Sequence, residues 1–319
     1  MISFKDIENS YNRIKNYINL TPLLESQKLN QITNSRILIK AECLQKTGSF
    51  KIRGAMNMIS QIKSNNKVVA PSSGNHAQGV AAAADYLNFS STLVMPSDAP
   101  ETKINGVKSY GGKIHFYERN SEDRFKIAKK IAKTNESILI PPYDHPDIIS
   151  GQGTIGFEII NQLSKSNFIP DIIFCCCGGG GLIAGLSISI KHKWPKTKIH
   201  PVEPLGWEDT KFSLQKGYRV AAPKNLPSIC DALLADKPGE LTFSINKNLL
   251  SEGLVVDDQQ VLLAIKFAFN EFKIVLEPGG AVALSAAISN KDFIKNKNVL
   301  VIVSGGNIDT NLFKRALES

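Results

Sequence analysis

The apolar run Ile172-Ile173-Phe174-Cys175-Cys176-Cys177 leads directly into four successive glycines, Gly178 to Gly181, and then into Leu182-Ile183-Ala184-Gly185. Unbroken by polar residues, the run reads as a strand buried on both faces, and the residues after the glycines read as the start of a helix. A strand of that kind needs a sheet covered on both sides. The glycines add a second constraint. Without Cβ atoms the loop can curl until successive N–H groups converge, and a helix N-terminus behind it adds partial positive charge. The turn is therefore read as an anion site rather than a plain tight turn, at the strand end where open α/β sheets bind ligands.

The strand, loop, helix order recurs along the chain. Ser3 with Asp6 resembles a capping box, and Ile7, Tyr11, Ile14 and Ile18 follow at helical spacing until Thr21-Pro22. A helix is predicted over Ala55 to Ile62, and Lys67-Val68-Val69-Ala70 is a short buried strand entering Pro71-Ser72-Ser73-Gly74-Asn75-His76. Strands at 91–95 and 113–117 and a helix over 122–133 complete a compact α/β unit from about 67 to 144. A second unit holds a helix over 154–163, the strand at 171–176, a long helix after the glycines, and strands at 198–202 and 298–303. Asp258 caps a helix whose Leu262, Ile265, Phe269 and Phe272 recur at core spacing. Such alternation predicts an α/β fold of parallel sheets covered on both faces.

Length and composition bound the rest. At 319 residues, with 42% hydrophobic residues, the chain exceeds the size of one core, so two lobes are expected. No apolar run approaches the ~20 residues of a membrane helix, and no basic segment precedes an apolar leader core, so a cytoplasmic protein without a membrane partner is expected. The net charge of +9 is spread without a dense basic block, which argues against a nucleic-acid partner. The five cysteines lack metal-site spacing, and the neighbours Cys175, Cys176 and Cys177 cannot easily bridge. They read as small apolar residues of a reducing compartment, with Cys43 and Cys230 left as candidates for reactivity. Gly151-Gln152-Gly153-Thr154-Ile155-Gly156 matches the dinucleotide pattern formally, but no strand leads into it, and packing of a helix against the sheet explains its glycines better.

Two further segments carry chemistry. Lys51 stands in Ser49-Phe50-Lys51-Ile52-Arg53-Gly54-Ala55, where small and apolar neighbours favour the neutral amine a Schiff-base lysine needs. Taken alone it also reads as a solvated surface charge. Val299 to Val303 feeds Ser304-Gly305-Gly306-Asn307, a loop able to present a hydroxyl. Together with Ser72-Ser73-Gly74-Asn75-His76-Ala77-Gln78-Gly79, Gly151-Gln152-Gly153-Thr154 and Gly178 to Gly181, these segments stand in the order found in the serine/threonine dehydratase and serine racemase family. From about Thr21 to Asp309 the chain resembles that family of fold type II pyridoxal-phosphate enzymes.

The resemblance implies a two-lobed α/β fold, tryptophan synthase β-like, with residues 1–66 and 145–319 forming a discontinuous cofactor-binding domain and 67–144 a small domain closing over substrate. It implies that Lys51 forms the Schiff base with pyridoxal 5'-phosphate, and that Gly178, Gly179, Gly180, Gly181 and Leu182 bind the phosphate. Asn75 would bond the ring hydroxyl, Phe50 pack on the ring and Ser304 meet the pyridine nitrogen. Ser72, Ser73, Asn75 and His76 would hold the carboxylate of an amino-acid substrate. The implied activity is an ammonia-lyase, or dehydratase, turning L-threonine, L-serine or a related β-hydroxy amino acid into a 2-oxo acid and ammonia. Ser73, placed as in the racemases, keeps serine racemisation as an alternative. Arg124 resembles a position that reaches a second substrate carboxylate, which admits 3-hydroxyaspartate, and also reads as an exposed helix arginine. Glu203, the Trp207 carbonyl and Asp209 resemble a site for magnesium, manganese or calcium, against a reading of surface charge. A homodimer is implied as well. Ala232 departs from the glycine usual in the racemases, and Glu277 of Glu277-Pro278-Gly279-Gly280 is placed near the ring edge without a catalytic role. From another class, a non-catalytic vitamin-B6-binding protein stands as a distant alternative.

Overall fold

Ten strands among the described residues form two sheets in which every pairing but one is parallel. The computed structural model describes residues 2–63, 65–72, 74–99, 101–118, 121–224 and 226–319. In chain order the strands are β1 (Leu23–Glu25), β2 (Arg36–Ala41), β3 (Lys67–Pro71), β4 (Ser90–Pro96), β5 (Lys113–Tyr117), β6 (Ile138–Leu139), β7 (Ile172–Cys176), β8 (Lys198–Pro204), β9 (Leu254–Val256) and β10 (Asn298–Val303). The larger sheet runs β1-β2-β10-β7-β8-β9, with β1 antiparallel at its edge, and the smaller runs β5-β4-β3-β6. Strands β7 and β10 lie at the centre of the larger sheet, and all five residues of β7 are buried, as an unbroken apolar run requires.

Most elements fall within a few residues of expectation, and the differences have local causes. The first helix, Phe4–Ile14, has its capping box from Ser3 and Asp6 but stops well short of Thr21, while Ile18 stays buried from the loop beyond. The helix expected from Ala55 starts at Lys51 itself and runs to Ile59. The helix expected from Thr154 begins at Pro146, whose ring suits a first helical turn, and so takes in the whole Gly151-Gln152-Gly153 segment. Its glycines serve close approach to neighbouring helices rather than to the sheet. A Cβ on Gly151 would lie 2.8 Å from the Arg53 carbonyl, and one on Gly153 would lie 2.9 Å from the Gly185 carbonyl. Strands β1, β6 and β9 span only two or three residues, too few for an alternation to be read.

A buried ion lattice fixes the helix that carries Lys51. The Arg53 guanidinium donates to both oxygens of Glu42, each at 2.7 Å, and to Glu158 at 2.7 and 2.9 Å. Lys40 donates to Glu158 at 2.7 Å and to the Thr21 carbonyl at 2.8 Å. Two cations and two carboxylates thus neutralise each other out of water, and their forked geometry ties Lys51–Ile59 to the end of β2 and to the Pro146–Leu163 helix. Residues 51 and 53 point about 200° apart around a helix. The lattice therefore holds one face while Lys51 is turned to the other. Arg53→Met would leave Glu42 and Glu158 short of a buried partner, and is expected to lower unfolding free energy by about 3–5 kcal/mol in urea denaturation.

Candidate active site

The ends of β3, β7 and β10 deliver Ser72, Cys176 and Ser304 to one cavity of about 440 Å³. Its walls also include Phe50, Lys51, Asn75, His76, Arg124, Gly178 to Gly181 and Leu182. The cofactor and substrate positions expected from sequence are thus brought together, apart from Ser73, which lies outside the described residues. Helices starting at Lys51, Asn75, Gly181 and Pro278 begin at this cavity, and none of the four has a side-chain cap bond. Their N-terminal amides give the cavity a positive potential suited to anionic groups.

Lys51 is placed by a splice between two loops. Ser49 bridges Gly305, the Phe50 amide donates to the Ser304 carbonyl at 3.1 Å, and the Gly306 amide donates to the Gly48 carbonyl at 2.8 Å. Its amine donates to the Pro142 carbonyl at 2.8 Å. Burial pushes that amine down to about 8, with Cys176 and Glu277 opposing. The half-buried side chain lines the cavity, where the surrounding protein withholds part of the hydration its charge would need. An amine so placed is neutral in a useful fraction near neutrality and acts as nucleophile or base. The surface-charge reading of Lys51 is excluded.

The glycine loop is held from behind. Thr242 donates its hydroxyl to the Gly179 carbonyl at 2.7 Å, and Asn246 donates to the Gly180 carbonyl at 3.3 Å. Among the described residues the amides of Gly178 to Gly181 donate to no protein group, which leaves four donors at a helix start for an anion. Gly180 has φ +91°, which favours glycine, and a Cβ on Gly179 would lie 2.4 Å from the Tyr143 ring.

Asn75 is fixed in orientation. Its Nδ2 donates to Glu277, and its Oδ1 accepts from Asn307 Nδ2 at 2.8 Å, which also donates to the Thr47 carbonyl at 2.8 Å. One Nδ2 hydrogen remains for a ligand. His76 donates from Nε2 to the Ile140 carbonyl at 2.9 Å, and burial, aided by the Lys51 charge, holds its pKa down at about 3. It is a neutral ring whose Nε2 is occupied. Arg124 opens the helix Arg124–Thr134, half-buried at the cavity wall, rather than standing free on a surface.

Two wall residues, Cys176 and Lys103, escaped the sequence reading, and a third, Glu277, was expected near the ring edge but given no role. Cys176 donates its thiol to Ser304 Oγ at 3.2 Å, whereas Cys43 is pushed up to about 12 by burial and Cys230 higher still, so neither of the suspected thiols is activated. Glu277, quoted in a motif but set aside, is buried beside Asn75 with its carboxyl raised to about 7 by desolvation and then by Asp231. Lys103 crosses the cavity mouth to pair with Asp231. Only Glu277 had a usable signal, its motif.

The expected cation set lies outside this cavity. Glu203 and Asp209 are fully buried, which overturns a surface-charge reading. Both Glu203 oxygens accept amides, from Thr210 and Lys211 at 2.8 Å each, and the Trp207 carbonyl accepts from the Asp209 amide at 2.9 Å. The two Asp209 oxygens have no protein partner. Among the described residues no three His, Cys, Asp or Glu side chains form a metal-binding group.

Pyridoxal phosphate fits the cavity's donor set: a readily deprotonated lysine for its aldehyde, free loop amides for its phosphate, and the Asn75 amide and Ser304 hydroxyl for its ring. Because partial desolvation depresses the Lys51 pKa, the cofactor-free protein bears the cost of a poorly hydrated ammonium in full below about pH 8. That cost vanishes as pH rises through the ~10.4 of an unfolded lysine. Cofactor-free Lys51→Met is therefore expected to melt higher than wild type at pH 7, with the difference closing towards pH 10 in thermal unfolding.

Comparison with known proteins agrees with this geometry. The family profile described as "Pyridoxal-phosphate dependent enzyme" matches residues 14–305. A serine racemase of Schizosaccharomyces pombe is 37% identical, covering 99% of this chain and 97% of its own. An L-threo-3-hydroxyaspartate ammonia-lyase of Saccharomyces cerevisiae is 38% identical over 96% of this chain and 94% of its own. The solved structure of a threonine deaminase from T.th. superposes with a TM-score of 0.92 at 35% identity, covering 96% and 99% of the two chains. Lys51, the glycine loop and Ser304 thus stand in one cavity because the chain belongs to the pyridoxal-phosphate dependent enzymes of fold type II.

Proposed function

We propose that this protein is an ammonia-lyase that converts L-threonine, L-serine or a related β-hydroxy amino acid to a 2-oxo acid and ammonia. The observation that carries the reading is the half-buried, pKa-depressed Lys51 in one cavity with the free glycine-loop amides and Ser304. Relatives named as threonine, serine and hydroxyaspartate enzymes support the substrate class. When bound, pyridoxal phosphate supplies the electron sink for the pair left on Cα after proton removal.

The chain's own residues do the rest. Gly178 to Gly181, with Leu182, hold the phosphate; Phe50 flanks the ring; Asn75 uses its remaining Nδ2 hydrogen on the ring hydroxyl. Ser304 offers a neutral hydroxyl to the ring nitrogen, a weaker partner than a carboxylate, which favours prompt elimination of the β-hydroxyl over a long-lived carbanion. Ser72 and the backbone amides opening the helix at Asn75 hold the substrate carboxylate. His76 shapes that pocket as a neutral ring. The Lys51 amine removes the Cα proton, and its depressed pKa lets it take up and release that proton near neutral pH. The four-stranded sheet, with residues 67–144, closes over substrate and excludes water.

A second reading, 3-hydroxyaspartate as preferred substrate, is favoured by Arg124, a cation half-buried on the cavity wall. Racemisation would run through Ser73, and chiral analysis of serine separates it from elimination. A divalent cation at Asp209 is a separable part of the proposal, supported by its two unpartnered buried oxygens.

Lys51→Ala is expected to cut 2-oxo acid and ammonia release by roughly 10²–10⁴-fold, the range for loss of a general base. Full activity in that variant would refute the assignment. For Arg124→Gln, KM for 3-hydroxyaspartate is expected to rise about tenfold or more with serine little affected, in line with loss of a charge-assisted bond. Equal effects on both substrates would remove the second reading.

A further inference from the structure

Cys176 is a cavity residue that the proposed function leaves without a role. It ends β7, is buried, and lines the cavity with Ser304. Its Sγ donates to Ser304 Oγ at 3.2 Å. The parallel register of the two central strands, Ile302 beside Cys175, sets these two strand ends side by side. Successive strand residues face opposite sides, so Cys176 alone of the three thiols meets Ser304. Cys175 donates to the Cys176 carbonyl at 3.5 Å, and Cys177 meets Thr210 Oγ1 at 3.3 Å.

The donor direction has a consequence for Ser304. A hydroxyl has one proton and accepts through its lone pairs. With the thiol donating into Oγ, the serine proton points away from Cys176. Among the described residues no protein acceptor takes that proton, while the Ser304 backbone is pinned through its carbonyl by the Phe50 amide at 3.1 Å. The free direction for the O–H is the cavity.

We propose that Cys176 is a positioning residue whose thiol locks the Ser304 hydroxyl with its proton towards the cavity, ready to donate to the ring nitrogen of the bound cofactor. This rests on the cofactor reading above. An apolar residue of similar size at 176 fills the space but leaves the hydroxyl free to rotate, including into orientations that turn a lone pair to the nitrogen.

The test is a titration of cofactor-free protein with pyridoxal phosphate, followed by visible absorbance, for wild type, Cys176→Val, Cys176→Ser, Ser304→Ala and the Cys176→Val/Ser304→Ala double variant. Cys176→Val is expected to weaken cofactor binding roughly three- to tenfold, the scale of one hydrogen bond, and to shift the visible band. Cys176→Ser, which keeps a donor, is expected to behave as wild type. In the Ser304→Ala background Cys176→Val is expected to add nothing, because the two side chains act through one bond. Should Cys176→Val fail to fold, Cys176→Ala carries the same expectations. Unchanged affinity and band in the thiol-free variant, or an undiminished effect without the Ser304 hydroxyl, overturns the proposal. Normal uptake by wild type with such a result refutes this inference alone, whereas a wild type that takes up no cofactor refutes the functional reading with it.

Discussion

A lysine amine can be kept ready to lose its proton only if the backbone beneath it cannot relax towards water, and in this chain Arg53 supplies that rigidity. Its guanidinium is fully buried between Glu42 and Glu158, and Lys40 completes a neutral set of four. Desolvating four charges costs more than a packed apolar core would, so the lattice is better understood as a device for geometry than for net stability. Forked bonds tolerate little rotation. The helix they anchor begins at Lys51, so the direction of the amine follows from contacts on the opposite face.

Around that amine the fold collects the ends of strands and the beginnings of helices. Parallel sheets bring this about because every strand in a sheet ends on the same side and is followed by a helix that starts there. Here strands of both sheets contribute: β3 from the smaller, β7 and β10 from the larger. Uncapped helix starts make the cavity favourable for anions, while burial at the same cavity disfavours the ammonium form of Lys51 and, with the charges of Lys51 and Arg124, the imidazolium of His76. Phosphate binding and amine activation are two outcomes of one arrangement.

The polar second layer shows how the site's chemistry is tuned. Glu277 and Asn307 orient Asn75, Thr242 and Asn246 turn the glycine-loop carbonyls outward, and Cys176 meets Ser304. None of these is near its partner in sequence. Each acts by occupying one atom of a group and thereby leaving another free.

Much of this was legible in the residues themselves. Periodicity marked the strands and helices, because burial on both faces of a parallel sheet writes unbroken apolar runs such as Ile172 to Cys177. Glycine at 178 to 181 declared an anion loop, because a curl without Cβ atoms is a local property. Ordered motifs then pointed to the family. What tertiary structure alone decided is which face each side chain presents and what it meets. Sequence cannot say whether Cys176 or its neighbours reach the cavity, since strand parity is set by pairing with β10; nor that Glu203 and Asp209 are buried, since that depends on what packs over them. The pKa of Lys51 belongs to the same class. Local residues made a neutral amine plausible, but the depression comes from protein brought in from distant segments, because desolvation sums over everything nearby in space.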